Sequence, residues 1–196
     1  MQFLPYIEHT NVYFSLTKEI LSISFAKALQ TNKCISINLN YSDLINKDIE
    51  EKIVSELGKN PQLAQQITFE ILESNEIENV ALFKEKIQKI HVLGASISID
   101  DFGSGYSNFR AILDMEADYL KIDGSLIKNI DKNKQDFLVV KNMILFAHDV
   151  NMKTIAEYVH SKEVYEKLVS INVDYMQGYY ISPPQKELLE EEKLFA

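Results

Sequence analysis

Short runs in which apolar, often β-branched residues alternate with polar ones recur along this chain, and longer stretches with helical spacing separate most of them. The alternating runs predict six strands, at 34–40, 67–72, 96–102, 119–123, 153–159 and 174–181. The longer stretches predict four helices, at 12–29, 77–92, 135–150 and 163–169. Strands that alternate with helices indicate a parallel sheet joined by crossover connections.

Four of the predicted strands, at 34–40, 67–72, 96–102 and 119–123, have one apolar face and one polar face, because successive side chains point to opposite sides of a strand. Their polar faces carry Ser36, Asn38 and Asn40; Thr68 and Glu70; Ser96, Ser98 and Asp100; and Tyr119, Lys121 and Asp123. An open sheet with helices on both sides would have two apolar faces, whereas a closed barrel can hold polar groups inside. The pattern therefore favours a (β/α) barrel, although it is weaker at Glu157, which shares its face with Ile155, and at Gln177.

The length of the chain fits one domain, residues 1–196, that is partial at its N-terminus. An eight-stranded barrel starts at about 200 residues, and only six strands are found here in 196 residues. The chain begins almost at once with a helical pattern, so we expect the N-terminal strands of the barrel to be the missing ones. The predicted fold class is α/β, a TIM-like barrel without those strands.

Composition narrows the classes of partner. The formal net charge of −9 argues against binding to a nucleic-acid polymer, which needs clustered Lys and Arg. No apolar run approaches the 18 or so residues of a membrane span, and the N-terminus lacks the features of a signal peptide. Cys34 is the single cysteine, and we expect it to be a buried apolar residue. A cytoplasmic protein without membrane contact is the expectation.

Polar residues at the strand ends are the candidate chemistry. They are Asn38, Glu70, Asp100, Asp101, Lys121, Glu157 and Gln177. Oxygen ligands without Cys or His favour Mg²⁺ or Mn²⁺, and the four histidines have no zinc-hydrolase spacing. The carboxyl ends of barrel strands are where catalytic groups collect.

Asp100 and Asp101 raise a geometric question, because adjacent residues of a regular strand point to opposite faces. If the chain bends at Gly103-Ser104-Gly105, both carboxylates can reach one site and bind two divalent ions. Two such ions would stabilise the attacking and leaving oxygens of an in-line phosphoryl displacement. Lys121 could then orient water or balance phosphate charge, and Glu157 could remove a proton. The alternatives are an ordinary Asx turn and a lysine that reaches solvent. A DFG triplet in so short a chain, without other kinase motifs, does not indicate a kinase.

Six segments in order resemble the EAL domain family of cyclic di-GMP phosphodiesterases. They are ISINLN, FEILES, IDDFGSGYSNF, LKIDGSLI, TIAEYV and MQGYYISPP, which together extend over most of the chain. The resemblance implies a TIM-like barrel that hydrolyses cyclic di-GMP to linear pGpG with Mg²⁺ or Mn²⁺, two ions in all. It also implies bacterial second-messenger signalling, a homodimer as a possible assembly, and a cyclase (GGDEF) or sensory domain as a possible neighbour in a longer protein.

By matching motifs, the resemblance assigns roles to individual residues. The implied metal ligands are Asn38, Glu70, Asp100 and Asp101, and the implied catalytic residues are Lys121 and Glu157. Gln177 would support the site, and Glu73 would hold the loop from Phe102 to Asn108. That loop contains Gly103, Ser104, Gly105 and Tyr106, and in the family it orders the metal site and the dimer interface.

The chain also departs from the family pattern. It begins after the Glu-Ala-Leu segment, which would carry a metal-binding Glu and a substrate-binding Arg. Tyr158 stands where the family has Gly, His160 where it has Glu, and Gly124 where it has Arg. We therefore expect this chain to be a weak or inactive phosphodiesterase by itself. The alternative is a catalytically inactive module that binds cyclic di-GMP or a partner protein.

Overall fold

The structure is a computed structural model that describes residues 10–72, 79–105 and 109–186. The helices are α1 (Asn11–Thr31), α2 (Tyr41–Ile45), α3 (Lys47–Lys59), α4 (Pro61–Ala64), α5 (Val80–Leu93), α6 (Phe109–Met115), α7 (Gly124–Ile127), α8 (Lys134–Asp149) and α9 (Lys162–Val169). The strands are β1 (Ile35–Asn38), β2 (Ile67–Leu72), β3 (Ser96–Phe102), β4 (Tyr119–Ile122), β5 (Lys153–Ala156) and β6 (Tyr175–Met176). Strand order in the sheet is the order of the chain, as expected for strands joined by successive crossovers.

The chain divides into two compact units. Among the described residues, the first unit runs to Ser98 and also takes in Arg110–Glu116, and the second comprises Ile99–Phe109 and the residues from Ala117 onward. Strand β3 therefore begins in the first unit and ends in the second.

The first unit is built on β1 and β2, which pair in parallel with Ile35 opposite Ile67 and Asn38 opposite Glu70. Both strands keep the predicted alternation, because their apolar side chains are more buried than the polar ones between them. Helix α1 buries Leu21, with Phe25 and Ala28 on the same face, at the spacing of an amphipathic helix.

Helix α3 is the longest element that the sequence analysis missed. Its buried residues Ile49, Ile53 and Leu57 recur every four positions, and the Asn46 side chain accepts hydrogen bonds from the amides of Asp48 and Ile49. Both the spacing and the N-cap are sequence signals. The helix could therefore have been predicted.

The second unit contains β4, β5 and β6 in parallel, with Lys121 opposite Ile155 and Ala156 opposite Met176. Helix α8 covers this part of the sheet with a fully buried stripe that includes Val140, Ile144 and Ala147. The stripe explains why the helix predicted at 135–150 lies within one residue of the observed bounds.

Several sequence predictions need correction. The strand predicted at 174–181 is only Tyr175–Met176, after which the backbone turns at Gly178. Cys34 is exposed instead of buried, because it precedes the first paired residue of β1. The strand predicted at 153–159 ends at Ala156. The polar face of β3 is buried as well as its apolar face, since Ser98 is fully buried and Asp100 is 9% exposed. Across the described parts of the chain, every helix is too short or too polar to traverse a lipid bilayer.

Candidate active site

The carboxyl ends of β4, β5 and β6 are held side by side by backbone hydrogen bonds that continue past the strands. The Glu157 amide donates to the Ile122 carbonyl at 3.2 Å, and the Gln177 amide donates to the Ala156 carbonyl at 2.9 Å. The Asp123 amide donates in the same way to Phe102, at the end of β3. The polar residues that follow these parallel strands, Asp123, Glu157 and Gln177, therefore lie at one edge of the second unit.

Lys121 lies at the centre of a buried ion network at this edge. Its Nζ is 2.6 Å from Asp100 Oδ1 and 2.9 Å from Glu157 Oε1. Gln177 Nε2 donates to the same Glu157 oxygen at 2.8 Å. The lysine side chain is only 7% exposed, so the alternative of a lysine that extends to solvent is wrong.

Asp101 joins this network through an unusual backbone conformation. Its φ of +56° is left-handed, a region that non-glycine residues seldom occupy. Asp100, Asp101 and Glu157 each offer an oxygen within 4.8 Å of the others. The chain therefore bends at Asp101 itself, before Gly103, and this bend allows adjacent residues to share a site.

Two carboxylates of this group, Asp101 and Glu157, have pKa values above the ordinary range. Burial, followed by the negative charges of Asp100 and Asp123, raises the pKa of Asp101. Burial also raises the pKa of Glu157, although the hydrogen bond from Lys121 opposes that rise. When all three are ionised, one lysine balances only part of their charge, so a bound cation would relieve the remainder.

These donors fit a hard divalent cation. The cluster, which comprises Asp100, Asp101 and Glu157, supplies carboxylate oxygens without sulfur or imidazole, and this chemistry suits Mg²⁺ or Mn²⁺ better than zinc. The fit agrees with the sequence-based expectation for the type of metal.

The remaining predicted ligands lie in the first unit. Asn38 ends β1 and faces Glu70 of β2 across the parallel pair. Both project from the more exposed face of their strands, as predicted.

Part of the predicted loop lies outside the described residues. Gly103 has a φ of +99°, which explains its glycine, and the Ser104 amide donates to the Asp101 carbonyl at 3.2 Å. Gly105 is exposed. Glu73 and Tyr106 are not among the described residues, so their predicted roles stay predictions.

A groove of about 1010 Å³ opens beside Glu157 in the second unit. Its lining includes Asp123, Glu157, Tyr158, His160, Gln177 and Tyr179; we call it the Tyr158 groove. Gly178 also lines the groove. A side chain at this position would collide with the backbone of Val159, so the position requires glycine. From the sequence, we expect Tyr158 either to narrow a substrate groove or to pack, and Tyr179 lies in the MQGYYISPP segment, where the sequence predicts no role for it.

Comparisons with known proteins identify similar sequences and structures. The model of the EAL domain family matches residues 1–184. The cyclic di-GMP phosphodiesterase PdeF of Escherichia coli K12 is 38% identical over 150 residues, which cover 76% of this chain and 20% of the relative. This chain spans about a fifth to a quarter of the length of the first four curated relatives.

Solved structures share the fold. A standalone EAL protein from Vibrio cholerae O395 in its c-di-GMP-bound form has a TM-score of 0.77 and 26% identity, covering 92% of this chain and 78% of that one. Klebsiella pneumoniae BlrP1 was solved with cyclic di-GMP and calcium, at a TM-score of 0.78, and with cyclic di-GMP and manganese, at 0.75. Both BlrP1 matches have 24% identity and cover 88% of this chain and 45% of that chain. The predicted fold class, an α/β TIM-like barrel of the EAL type, is confirmed.

Proposed function

Because the chain belongs to the EAL domain family, we propose that it forms part of a metal-dependent phosphodiesterase that hydrolyses cyclic di-GMP to linear pGpG. The observation that carries the proposal is the cluster of Asp100, Asp101 and Glu157 within 4.8 Å of one another. Related proteins are phosphodiesterases or bind this nucleotide, which supports this substrate class.

Asp100 and Asp101 would hold Mg²⁺ or Mn²⁺ beside Glu157, and Asn38 and Glu70 are proposed as further oxygen ligands. Bound divalent ions would supply Lewis-acid stabilisation of the charge that develops on the phosphodiester. The protein's own groups would handle water and protons. Glu157 is the proposed proton acceptor, since it is the carboxylate that both Lys121 and Gln177 hold in place.

Lys121 and Gln177 would position that base. Both donate to Glu157 Oε1, which leaves Glu157 Oε2 to accept a proton from the attacking water. Lys121 also contacts Asp100, so one ammonium group fixes the separation of two carboxylates. We propose that this arrangement aligns the water for in-line attack on phosphorus.

Turnover of cyclic di-GMP tests the proposal. The 196-residue chain with Mn²⁺ should convert cyclic di-GMP to pGpG, resolved by chromatography, at a slow rate. Glu157→Gln should reduce the rate at least about 100-fold, the usual scale for loss of a general base. Glu166→Gln is the matched control, because Glu166 undergoes the same chemical change on the surface of α9, with a side chain that is 63% exposed.

A second candidate is a receptor that binds the nucleotide without cleaving it. The exposed ring of Tyr158 in the groove favours it, because an aromatic surface beside the carboxylates can hold a nucleotide without assisting hydrolysis. Binding of cyclic di-GMP by calorimetry, with no pGpG formed in Mn²⁺, would establish the receptor. Neither binding nor turnover would reject both candidates.

A further inference from the structure

Tyr158 follows Glu157 directly and has a strained backbone. Its φ of +57° is left-handed, and a bulky residue adopts this conformation only where the surroundings impose it. The hydrogen bonds on either side supply that constraint, since the amides of Glu157 and Val159 donate to Ile122 and Gln177. The backbone therefore directs the Tyr158 side chain away from the core, and the side chain is 52% exposed.

Gly124 leaves the space that this side chain uses. A Cβ atom at position 124 would lie 2.6 Å from Tyr158 Cβ and 3.3 Å from its Cγ. Carbon atoms do not approach this closely without displacement of one of them. Residue 124 must therefore be glycine for the Tyr158 ring to keep its position.

Contacts with His160 fix the orientation of the ring. The two rings meet nearly edge to face, with centroids 5.4 Å apart and planes at 67°, a favourable aromatic geometry. His160 is itself held in place, since its Nε2 lies 3.0 Å from the Lys128 carbonyl oxygen and bonds to it when protonated. Tyr158 thus has a preorganised ring with about half its surface open.

The open surface lines the same groove as Glu157, Gln177 and Lys128. We propose that Tyr158 is a stacking platform for one planar purine base of the bound nucleotide and sets how tightly this chain holds it. The inference rests on the proposed function, since that function supplies the ligand. Stacking needs an exposed, rigid aromatic face within reach of the phosphate-binding groups, and residue 158 adjoins the cluster carboxylate.

Calorimetry with cyclic di-GMP tests the proposal, with Ca²⁺ as the divalent ion to limit turnover. Tyr158→Ala should weaken binding on the order of tenfold, as loss of one base–aromatic stack does, and Tyr158→Phe should bind within about twofold of the wild type. Tyr165→Ala is the matched control. Tyr165 is a partly exposed tyrosine whose ring contacts Tyr180, and it is absent from the lining of the groove.

A double-mutant cycle tests the role of Gly124. Gly124→Ala should weaken binding about as much as Tyr158→Ala, because the added methyl group displaces the ring. In a Tyr158→Gly background the same change should have no further effect, because the obstructing side chain is gone. Additive effects would show that the two positions are uncoupled and would overturn this part of the proposal.

Each remaining outcome is decisive. Unchanged affinity in Tyr158→Ala overturns the stacking role while the proposed function stands, and equal losses in the Ala and Phe variants show that the hydroxyl matters instead of the ring. If Tyr158→Ala loses as much affinity for Mn²⁺ as it loses for cyclic di-GMP, Tyr158 acts through the carboxylates. This result would also overturn the stacking role. A wild-type chain that neither binds nor cleaves cyclic di-GMP rejects the proposed function itself.

Discussion

Lys121 is the residue on which the charge balance of the cluster depends. It brings a buried ammonium group to Asp100 and Glu157, at 2.6 Å and 2.9 Å. A buried ion pair adds little net stability relative to apolar packing, but removal of one partner leaves the other charge uncompensated. The sequence predicted the position of Lys121 at a strand end, although the pairing depends on distances between three strands.

We expect Lys121→Met to destabilise the metal-free protein by about 3 kcal/mol, because the buried carboxylates lose their cation. Urea unfolding at pH 7 in the presence of a chelator measures the change. Lys162→Met is the control. Lys162 is 68% exposed and pairs with Glu166 on the surface of α9, and such a pair contributes about 0.5 kcal/mol or less. An equal decrease in unfolding free energy in Lys121→Met and Lys162→Met would contradict the buried network.

At the scale of elements, Asp174 ties the beginning of β6 to β5 and to α8. Its Oδ2 accepts hydrogen bonds from the Thr154 amide at 2.7 Å and the Thr154 hydroxyl at 2.8 Å, and it lies 2.8 Å from His148 Nε2. Because β6 has only two residues, these side-chain bonds replace the ladder of a longer strand. The tie also fixes the strand that leads to Gln177.

Asp174→Ala should destabilise the protein by about 2 kcal/mol at pH 7, because the fully buried Thr154 loses an acceptor. Burial raises the pKa of Asp174, but the bonds from His148 and Thr154 outweigh burial and lower it overall. A lowered pKa in the folded state means that the stabilisation is complete above the unfolded pKa of about 3.9 and is lost as pH falls through the folded value.

Urea unfolding of the wild type and Asp174→Ala at pH 7, 5 and 3 measures this dependence. The difference in unfolding free energy should be smaller at pH 3 than at pH 5. Asp174→Asn keeps an oxygen acceptor for Thr154 but cannot ionise, so its loss at pH 7 should be smaller. A difference between wild type and Asp174→Ala that persists undiminished below pH 3 would show that the charge of Asp174 contributes nothing.

At the scale of the whole molecule, acidic residues exceed basic ones and give a formal charge of −9. Three of those acids are concentrated at the cluster of Asp100, Asp101 and Glu157. Repulsion of this kind destabilises the compact state, and a cation that binds only the folded protein relieves it. We therefore expect binding of a divalent cation at the cluster to increase the free energy of unfolding.

Mn²⁺ at about 100 times its Kd should stabilise the protein by about 2.7 kcal/mol. For a domain of this size, the corresponding rise in Tm is roughly 5–10 °C, measurable by calorimetry. Asp100→Asn should abolish most of the rise. Asp48→Asn makes the same change at a surface pair with Lys18 and should preserve it, and NaCl of equal ionic strength should not reproduce it. An equal rise in Asp100→Asn would reject the cluster as the metal site.

The sequence by itself determined the order of the six strands and which oxygen ligands are available for a cation. Both depend on local properties, since side-chain period decides which positions are buried and residue type decides which ligands are available. This is why the long helix α8 and the strand-end residues Asp100 and Glu157 could be predicted. Helix α3 carries the same local signals, a four-residue apolar spacing and an Asn46 N-cap, so its position is equally predictable from the sequence.

Only the tertiary structure decided the left-handed turn at Asp101, the burial of Lys121 and the position of the Tyr158 ring. Each depends on distances between residues that are far apart in the chain. The space above Gly124 accommodates Tyr158 because β4 and β5 lie side by side, and neither local segment contains that information. Periodicity describes one strand at a time, whereas a site is formed by several strands together.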